Sequence, residues 1–294
     1  MKLIKQSFEI LDQQCGLEGI YKQIEIAGRT CYKSEDKITE DSAKEFVDRM
    51  IKSGHGAMLE HGTVYLAIPI SEWRCTDDYR DSYISNPYSN VNDSLVDWEN
   101  NEGTVYITTN LRVLVENGWL DDLQYICEPT EYHEKRITVK FITDQGILRE
   151  FTRHRVFSFA VESTRYCNYT KDKFSNEITF IQPNWISDED VKDYHINYNY
   201  FIDQDNNHIT AVNRFMSALK NAEYFYMELI KLGWKPQQAR NILPLATKCD
   251  MIMTGFVSDW KHFFELRDAA SAHPQAQELA HSLHETFIQR GLVE

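Results

Sequence analysis

"RHRVFSFAVESTRY", residues 153–166, packs three arginines and a histidine into fourteen positions with no lysine, in a chain whose formal net charge is −14. Widened to 149–165, the stretch holds four arginines (Arg149, Arg153, Arg155, Arg165) against two glutamates (Glu150, Glu162). An acidic chain repels polyanions, so a local positive island points to a small anion rather than to a long nucleic acid or an anionic membrane surface. Arginine's planar fork matches phosphate bidentately and stays charged at any working pH, which lysine's point charge does not reproduce. If 153–155 is extended, Arg153 and Arg155 share one face and His154 takes the other. Ser163 and Thr164, just before Arg165, add hydroxyls and amides suited to a phosphate cradle. On residue counts alone a solvated, charged helix is an equal reading, and nuclear-localisation and RNA-binding patches also carry such runs.

The chain has 294 residues, 42% of them hydrophobic, enough for one large domain or two ordinary ones with a sizeable core. Its six cysteines (15, 31, 75, 127, 167, 249) form no CxxC pair and no short zinc spacing, which reads as reduced thiols in a cytosolic protein. The first residues carry no apolar run of signal-peptide length, and no stretch approaches the roughly 18 apolar residues of a membrane span. The expectation is a soluble, cytoplasmic protein without a membrane partner.

Periodicity predicts helices over 41–53 and 209–232, the latter ending at Gly233, and over 274–290, where Leu279, Leu283 and Phe287 line one face. A short helical turn is expected at 236–243 and short helices within 110–127. Residues 63–70, 104–109 and 137–143 read as strands, and 85–94 (SNPYSNVNDS) as loop. No repeat, low-complexity tract or clear linker divides the chain, so the fold class expected is a single α+β domain over 1–294 with surface insertions.

Further candidates lie outside the arginine run. Placed on a helix, Trp260, Phe263, Phe264 and Arg267 share a face, so Arg267 points with aromatic rings and requires a partner. Arg267 then forms a buried salt bridge, snorkels outward or meets a ligand; Arg240, between Pro236 and Pro244, poses the same choice. His55, Glu60 and His61 resemble a metal motif, but the histidines are six apart, not the four that HEXXH needs. His281 and His284 suit a solvated helix face better than a metal, so no metal is expected at the site.

Taken in order along the chain, these motifs resemble those of the flavin-dependent thymidylate synthases. RHR, seven residues, then Ser is that family's signature, and 153–163 matches it. "AGRTCYKS" (27–34) is similar to its early AARVSF-like stretch, "GHGAMLEH" (54–61) to HxTPFEH, and "ARNILP" (239–244) to ARxxLP. "HFFELR" (262–267) and "HPQAQE" (273–278) are similar to FLxLR and HAQxEI. No cysteine follows a proline, so the cysteine chemistry of the unrelated thymidylate synthases has no basis here.

The resemblance implies a central antiparallel sheet packed with helices, the thymidylate synthase-complementing fold, with about 71–136 as an insertion. It implies conversion of dUMP, 5,10-methylenetetrahydrofolate and NADPH to dTMP, tetrahydrofolate and NADP, with FAD carrying the reducing equivalents and no enzyme nucleophile. It also implies a homotetramer with shared active sites. By motif position Arg267 is the activating residue at uracil, and Glu150, Arg153, Ser163, Thr164, Arg165 and Arg240 are dUMP positions, Arg165 being contributed across an interface. His55, Glu60, Arg153, His154, Arg155 and His262 are FAD positions.

This chain departs from the pattern at several points. Glu150 stands where Gln is usual, and a carboxylate accepts but cannot donate unless protonated. Ala160-Val161 replaces Asn-Glu, with Glu162 one place later; Phe256-Val257-Ser258 replaces the flavin-side NxR; Ala57 replaces Thr. Two other classes stay open: a nucleic-acid-binding protein using the RHR patch, and a metal-dependent hydrolase using His55, Glu60 and His61.

Overall fold

The computed structural model describes residues 1–72, 82–100, 102–171, 174–192 and 210–294. Cys75 and Ile209, the expected start of the long helix, lie outside the described residues. The main sheet is antiparallel, with strand order β2 (Ser7–Ile10), β6 (Arg136–Asp144), β9 (Lys248–Phe256), β7 (Ser158–Val161). β6 and β9 form its spine, running from Arg136↔Phe256 to Asp144↔Lys248. Side chains alternate across a strand, and β9 follows this. Met251 and Met253 join the core of Trp260, Phe263, Leu283 and Phe287, while Ile252 meets Ala27 and Ala160. The first face lies under α9 (Val257–Arg267) and α10 (Pro274–Gln289), and the second under α1 (Gly16–Tyr32). Covering on both faces leaves β9 without regular alternation, with Met251, Ile252 and Met253 consecutive between polar ends, which hid it from period-based reading.

The strand expected at 63–70 is β3 (Thr63–Pro69), but it leaves the main sheet. It pairs antiparallel with β5 (Thr104–Asn110), whose other edge takes β4 (Asn90–Asn92). The stretch 85–94 is therefore not all loop. This second sheet shares its core with α1 and α2 (Ser42–Lys52) through Ile20, Ile24, Phe46 and Val47. A two-stranded parallel pair, β1 (Lys2–Ile4) with β8 (Thr179–Ile181), completes the strands among the described residues.

Short helices α3 (Gly56–Leu59) and α4 (Leu111–Asn117) flank β3 and β5, and α5 (Gln145–Phe151) follows β6 directly. Asp144 caps α5 by accepting from the Ile147 amide at 2.8 Å, so strand turns into helix without a loop. The remaining helices are α6 (Asp188–Lys192), α7 (Ala211–Lys231) and α8 (Pro236–Ala239). Thr210 caps α7, and Gly233 just past its end adopts φ 98°, open to glycine at little cost. No helix among the described residues is long and apolar enough to cross a membrane.

α1 approaches α2 at Gly28, where an added Cβ would lie 2.4 Å from the Phe46 ring. Alanine gains about 1 kcal/mol over glycine in a helix interior, but overpacking costs about 1–3 kcal/mol. Gly28→Ala should therefore lower the urea midpoint with an unchanged slope, and Gly28→Ala/Phe46→Leu should recover it. A stabilised Gly28→Ala would show that the Phe46 ring does not set the α1–α2 distance.

Candidate active site

Arg267 closes α9 and reaches the last turn of α5. Its Nη1 donates to the Glu150 carboxylate at 2.8 Å, its Nη2 to the Glu150 carbonyl at 2.8 Å, and its Nε to His154 Nε2 at 3.0 Å. In the chain by itself, the expected partner of Arg267 is this protein network. A guanidinium has five N–H donors, so two remain. Glu150 caps the cation by side chain and backbone together, which a neutral Gln at that place could not do with charge.

His154 accepts through Nε2, so its proton sits on Nδ1. Burial, then Arg267 and His262, push its pKa down from 6.5 to about 4. The imidazole is neutral at pH 7, as it must be with a guanidinium N–H against it. His262 is exposed, 6.3 Å from the His154 ring centroid, and its Nδ1 pairs with Glu265 at 3.1 Å.

The RHR segment is not extended. His154 and Phe157 donate back to the carbonyls of Phe151 and His154, forming a turn. The expected sidedness survives nonetheless: His154 is buried and Arg153 and Arg155 are exposed. Neither arginine side chain has an ion-pair or hydrogen-bond partner among the described residues.

A cleft of about 360 Å³ lies beyond α5, lined by Gln145, Arg149, Thr164, Arg240, Asn241 and Thr247 among others. It holds two guanidinium groups and no carboxylate. Arg240 Nη1 donates to Thr164 Oγ1 at 3.3 Å, bringing the ARNILP turn onto the signature loop. Arg149 and Glu150, adjacent in sequence, thus serve the cleft and Arg267 respectively. Arg149 and Gln145 were not singled out as site residues; the available signal was Arg149's place in the arginine run.

Two parts of the expected cradle differ. The Ser163 amide donates to the Cys31 carbonyl at 2.9 Å, so it is not free for a phosphate. Arg165 does not line the cleft; it is exposed, with Nε donating to Gln237 at 3.2 Å and its guanidinium 5.3 Å from the Tyr166 ring. Behind Ser163, Glu162 is buried and accepts from Lys248 Nζ at 2.9 Å and the Asp250 amide at 3.2 Å. Lys33, in the left-handed region at φ 49°, ion-pairs with Asp250 and with Glu35. Burial works against the Asp250 charge, yet Lys248 and Lys33 hold its carboxyl below the usual range. This network fastens the signature loop to the end of α1.

The HGAMLEH segment lies with different partners. His55 is exposed, whereas Glu60 is buried and ion-paired with Arg112 of α4, which also bonds Glu116 at 2.7 Å. His61 is fully buried, with Nδ1 2.8 Å from Thr254 Oγ1, and burial followed by Arg136 drives its pKa down to about 3. Among the described residues no three His, Cys, Asp or Glu converge on a metal position. Ser258, where the flavin-side arginine was expected, donates from backbone and side chain to Glu134, which also accepts from Asn90 at 3.0 Å. His281 and His284 are not simply solvated. Both pair with Asp268, at 3.0 and 2.9 Å, and His284 stacks on Phe264.

With this geometry in place, comparison with known proteins is direct. The family model of the thymidylate synthase complementing protein matches residues 129–290, more than half of the chain. The chain belongs to that family. The match takes in the Arg267 group, the RHR turn and the Arg240 cleft, but not 27–34 or 54–61.

Among the most similar relatives, the flavin-dependent thymidylate synthase of Haloarcula marismortui is 25% identical over 168 residues, covering 53% of this chain and 64% of the relative. That of Synechocystis sp. is 27% identical over 153 residues, covering 52% and 66%. A probable flavin-dependent thymidylate synthase of Paramecium bursaria Chlorella virus 1 is 26% identical over 152 residues, also covering 52% and 66%. The matches thus span less than two thirds of the relatives' length. Among solved structures, the UMP/dUMP methylase PolB of Streptomyces cacaoi, bound with 5-Br dUMP, aligns with a TM-score of 0.43 at 16% identity, over 98% of this chain and 93% of that one.

His61 and His154 both have folded pKa values depressed from 6.5, to about 3 and about 4, so the unfolded chain binds the extra protons. Their contribution to stability is complete above about pH 6.5 and is lost as pH falls toward 4 and 3. Two such groups give a slope of at most about 2.7 kcal/mol per pH unit. Urea midpoints should drop between pH 6.5 and 5, His133, also held down by burial, adding to the slope, and His61→Asn should remove up to about 1.4 kcal/mol per pH unit of it. A flat profile over that range would show that these histidines are not buried neutral.

Proposed function

We propose that this chain is an FAD-dependent thymidylate synthase, converting dUMP, 5,10-methylenetetrahydrofolate, NADPH and a proton to dTMP, tetrahydrofolate and NADP. The observation that carries the reading is the carboxylate-free Arg149–Arg240 cleft next to Arg267, on the stretch matched by the family model. The names of the relatives support the flavin and the thymidylate product. A nucleotide phosphate fits the cleft, where two guanidinium groups and Thr164 offer bidentate donors. Arg153, His154 and Arg155, with His262 beside the His154 ring, form the shared nucleotide and cofactor wall, and Ser163 belongs to the nucleotide side.

The residues present fit FAD. Arg153 and Arg155 are exposed cations without partners among the described residues, as a pyrophosphate requires, and His262 lies beside them. His55 and Glu60 complete the cofactor side, Glu60 with its Arg112 cation. When bound, the flavin supplies two-electron reduction. Arg267's two remaining donors stabilise negative charge on the uracil ring. Glu150, already oriented by Arg267, offers carboxylate lone pairs to the uracil N3–H. His154, neutral, holds Arg267 by its Nε.

Several finer readings go with this one. Arg165 and Tyr166, both exposed, reach a neighbouring subunit's site in a homotetramer. Residues of about 71–136 are an insertion in a single catalytic domain. The nucleic-acid-binding alternative for the RHR patch has no support in the relatives. Glu60 and His61 are engaged elsewhere, against a hydrolase.

Purified protein should release FAD on denaturation, or bind added FAD, and form dTMP from the four substrates. Arg267→Lys keeps the charge but loses the planar fork. In a variant shown to fold, dTMP formation should fall on the order of a hundredfold or more, while NADPH oxidation survives. Absence of both FAD binding and dTMP would refute the function. Near wild-type dTMP formation by folded Arg267→Lys would pass the activating role to Arg240.

A further inference from the structure

A second cleft, of about 510 Å³, shares no residue with the Arg267 group or the Arg149–Arg240 cleft. It lies where the segment after β2 meets the start of α1, the first residues of β6, and the end of the chain at Arg290 and Leu292. Its size falls within the roughly 300–1,000 Å³ of small-molecule sites. Leu11, Ile20, Tyr65, Ile126 and Leu292 supply apolar wall.

The charged wall is the unusual part. Arg136 is 7% exposed and lines the cleft. Its Nη1 donates to the Glu60 carbonyl at 3.0 Å and Thr63 Oγ1 at 3.4 Å, and its Nη2 to Ser158 Oγ at 3.4 Å, all neutral acceptors. Its Nε has no partner, and no carboxylate among the described residues pairs with it directly, though those of Glu60 and Asp259 act on it from farther off. Burial lowers its pKa to about 10, which leaves it charged at neutral pH. A buried cation without a directly paired counter-ion is costly, more so than the same cation paired. Lys135, exposed, adds a second cation to the wall. The third, Arg290, is matched by Asp12 at 2.7 Å, and the Glu128 carboxylate bears on Cys15 at the rim, which leaves Arg136 as the buried cation of the wall with no direct ion pair. Cys15, preceding α1, makes no side-chain cap, which leaves the positive end of a 17-residue helix facing the same space.

We propose that this cleft binds a small organic anion, a phosphate or carboxylate carried on an apolar body, with the charged end against Arg136 and the start of α1 and the body against Tyr65, Ile126 and Leu292. Nothing in the thymidylate reading assigns a ligand here, and the site stands whether or not that reading does.

Phenyl phosphate and benzoate are the probes, titrated separately by calorimetry into the full chain. At least one should saturate a site whose affinity falls tenfold or more in Arg136→Met and several-fold in Lys135→Ala, and which persists in Arg240→Ala. Which probe binds tells phosphate from carboxylate. Because Arg136→Met removes a buried group and could unfold, Cys15 gives a second measurement. Cys15 lines the cleft, so the bound probe should slow its alkylation by N-ethylmaleimide in the wild type and in Arg240→Ala alike. Failure of both probes to bind overturns the proposal. So does binding that disappears in Arg240→Ala and leaves Cys15 alkylation unchanged.

Discussion

Arg267 gives three hydrogen bonds to two residues more than a hundred positions upstream, and in doing so ties the end of α9 to the end of α5 and to the RHR turn. Each bond to a charged group is worth about 1.5–3 kcal/mol, more than a neutral one. The joint therefore holds where the rest of the site is loosely exposed. Below it lies the aromatic core: Phe263 meets Phe151 at 4.9 Å and Trp260 meets Phe157 at 4.7 Å. These rings fix α9 against α5 and the start of β7, so the guanidinium is carried by packed elements. The cleft of Arg149 and Arg240 inherits that placement, because Arg149 is the neighbour of Glu150 on the same turn.

Charge in this acidic chain is sorted rather than averaged. Around Ser163, the carboxylates of Glu162 and Asp250 are buried with Lys33 and Lys248, so each charge has an opposite at hand. Such a network adds little net stability over an apolar packing, but removing one member leaves an uncompensated charge. It specifies geometry, here the anchoring of the signature loop to α1. The two clefts are the converse, with cations gathered and carboxylates absent or already matched.

The second sheet bears on the site through side chains. Glu134, close before β6, receives Ser258 at the start of α9 and Asn90 of β4. Arg112 of α4 meets Glu60. The second sheet and α4 are thus stitched to 54–61 and to the start of α9 by Asn90, Arg112 and Glu134, which no motif marks.

Much was legible from local pattern. The helix at 41–53 is seen as Ser42–Lys52 and that at 209–232 as Ala211–Lys231, because each carries an apolar stripe with a stop signal. The sequence also determined the order of the motifs and the placing of Arg267 on the aromatic face, since four residues at 3.6-residue spacing need no tertiary information. α1 and β9 were not read out. β9 is buried on both faces and shows no alternation, and α1 holds its glycines where Phe46 and Gln14 crowd it. Only the tertiary structure decided that Glu150 is the partner of Arg267, that the Ser163 amide is taken by Cys31, that β3 leaves the main sheet, and that Arg136 is buried without a direct ion pair. Each of these joins residues far apart in the chain. Sequence period reports which face a residue occupies, whereas sheet register and helix docking decide what stands opposite that face.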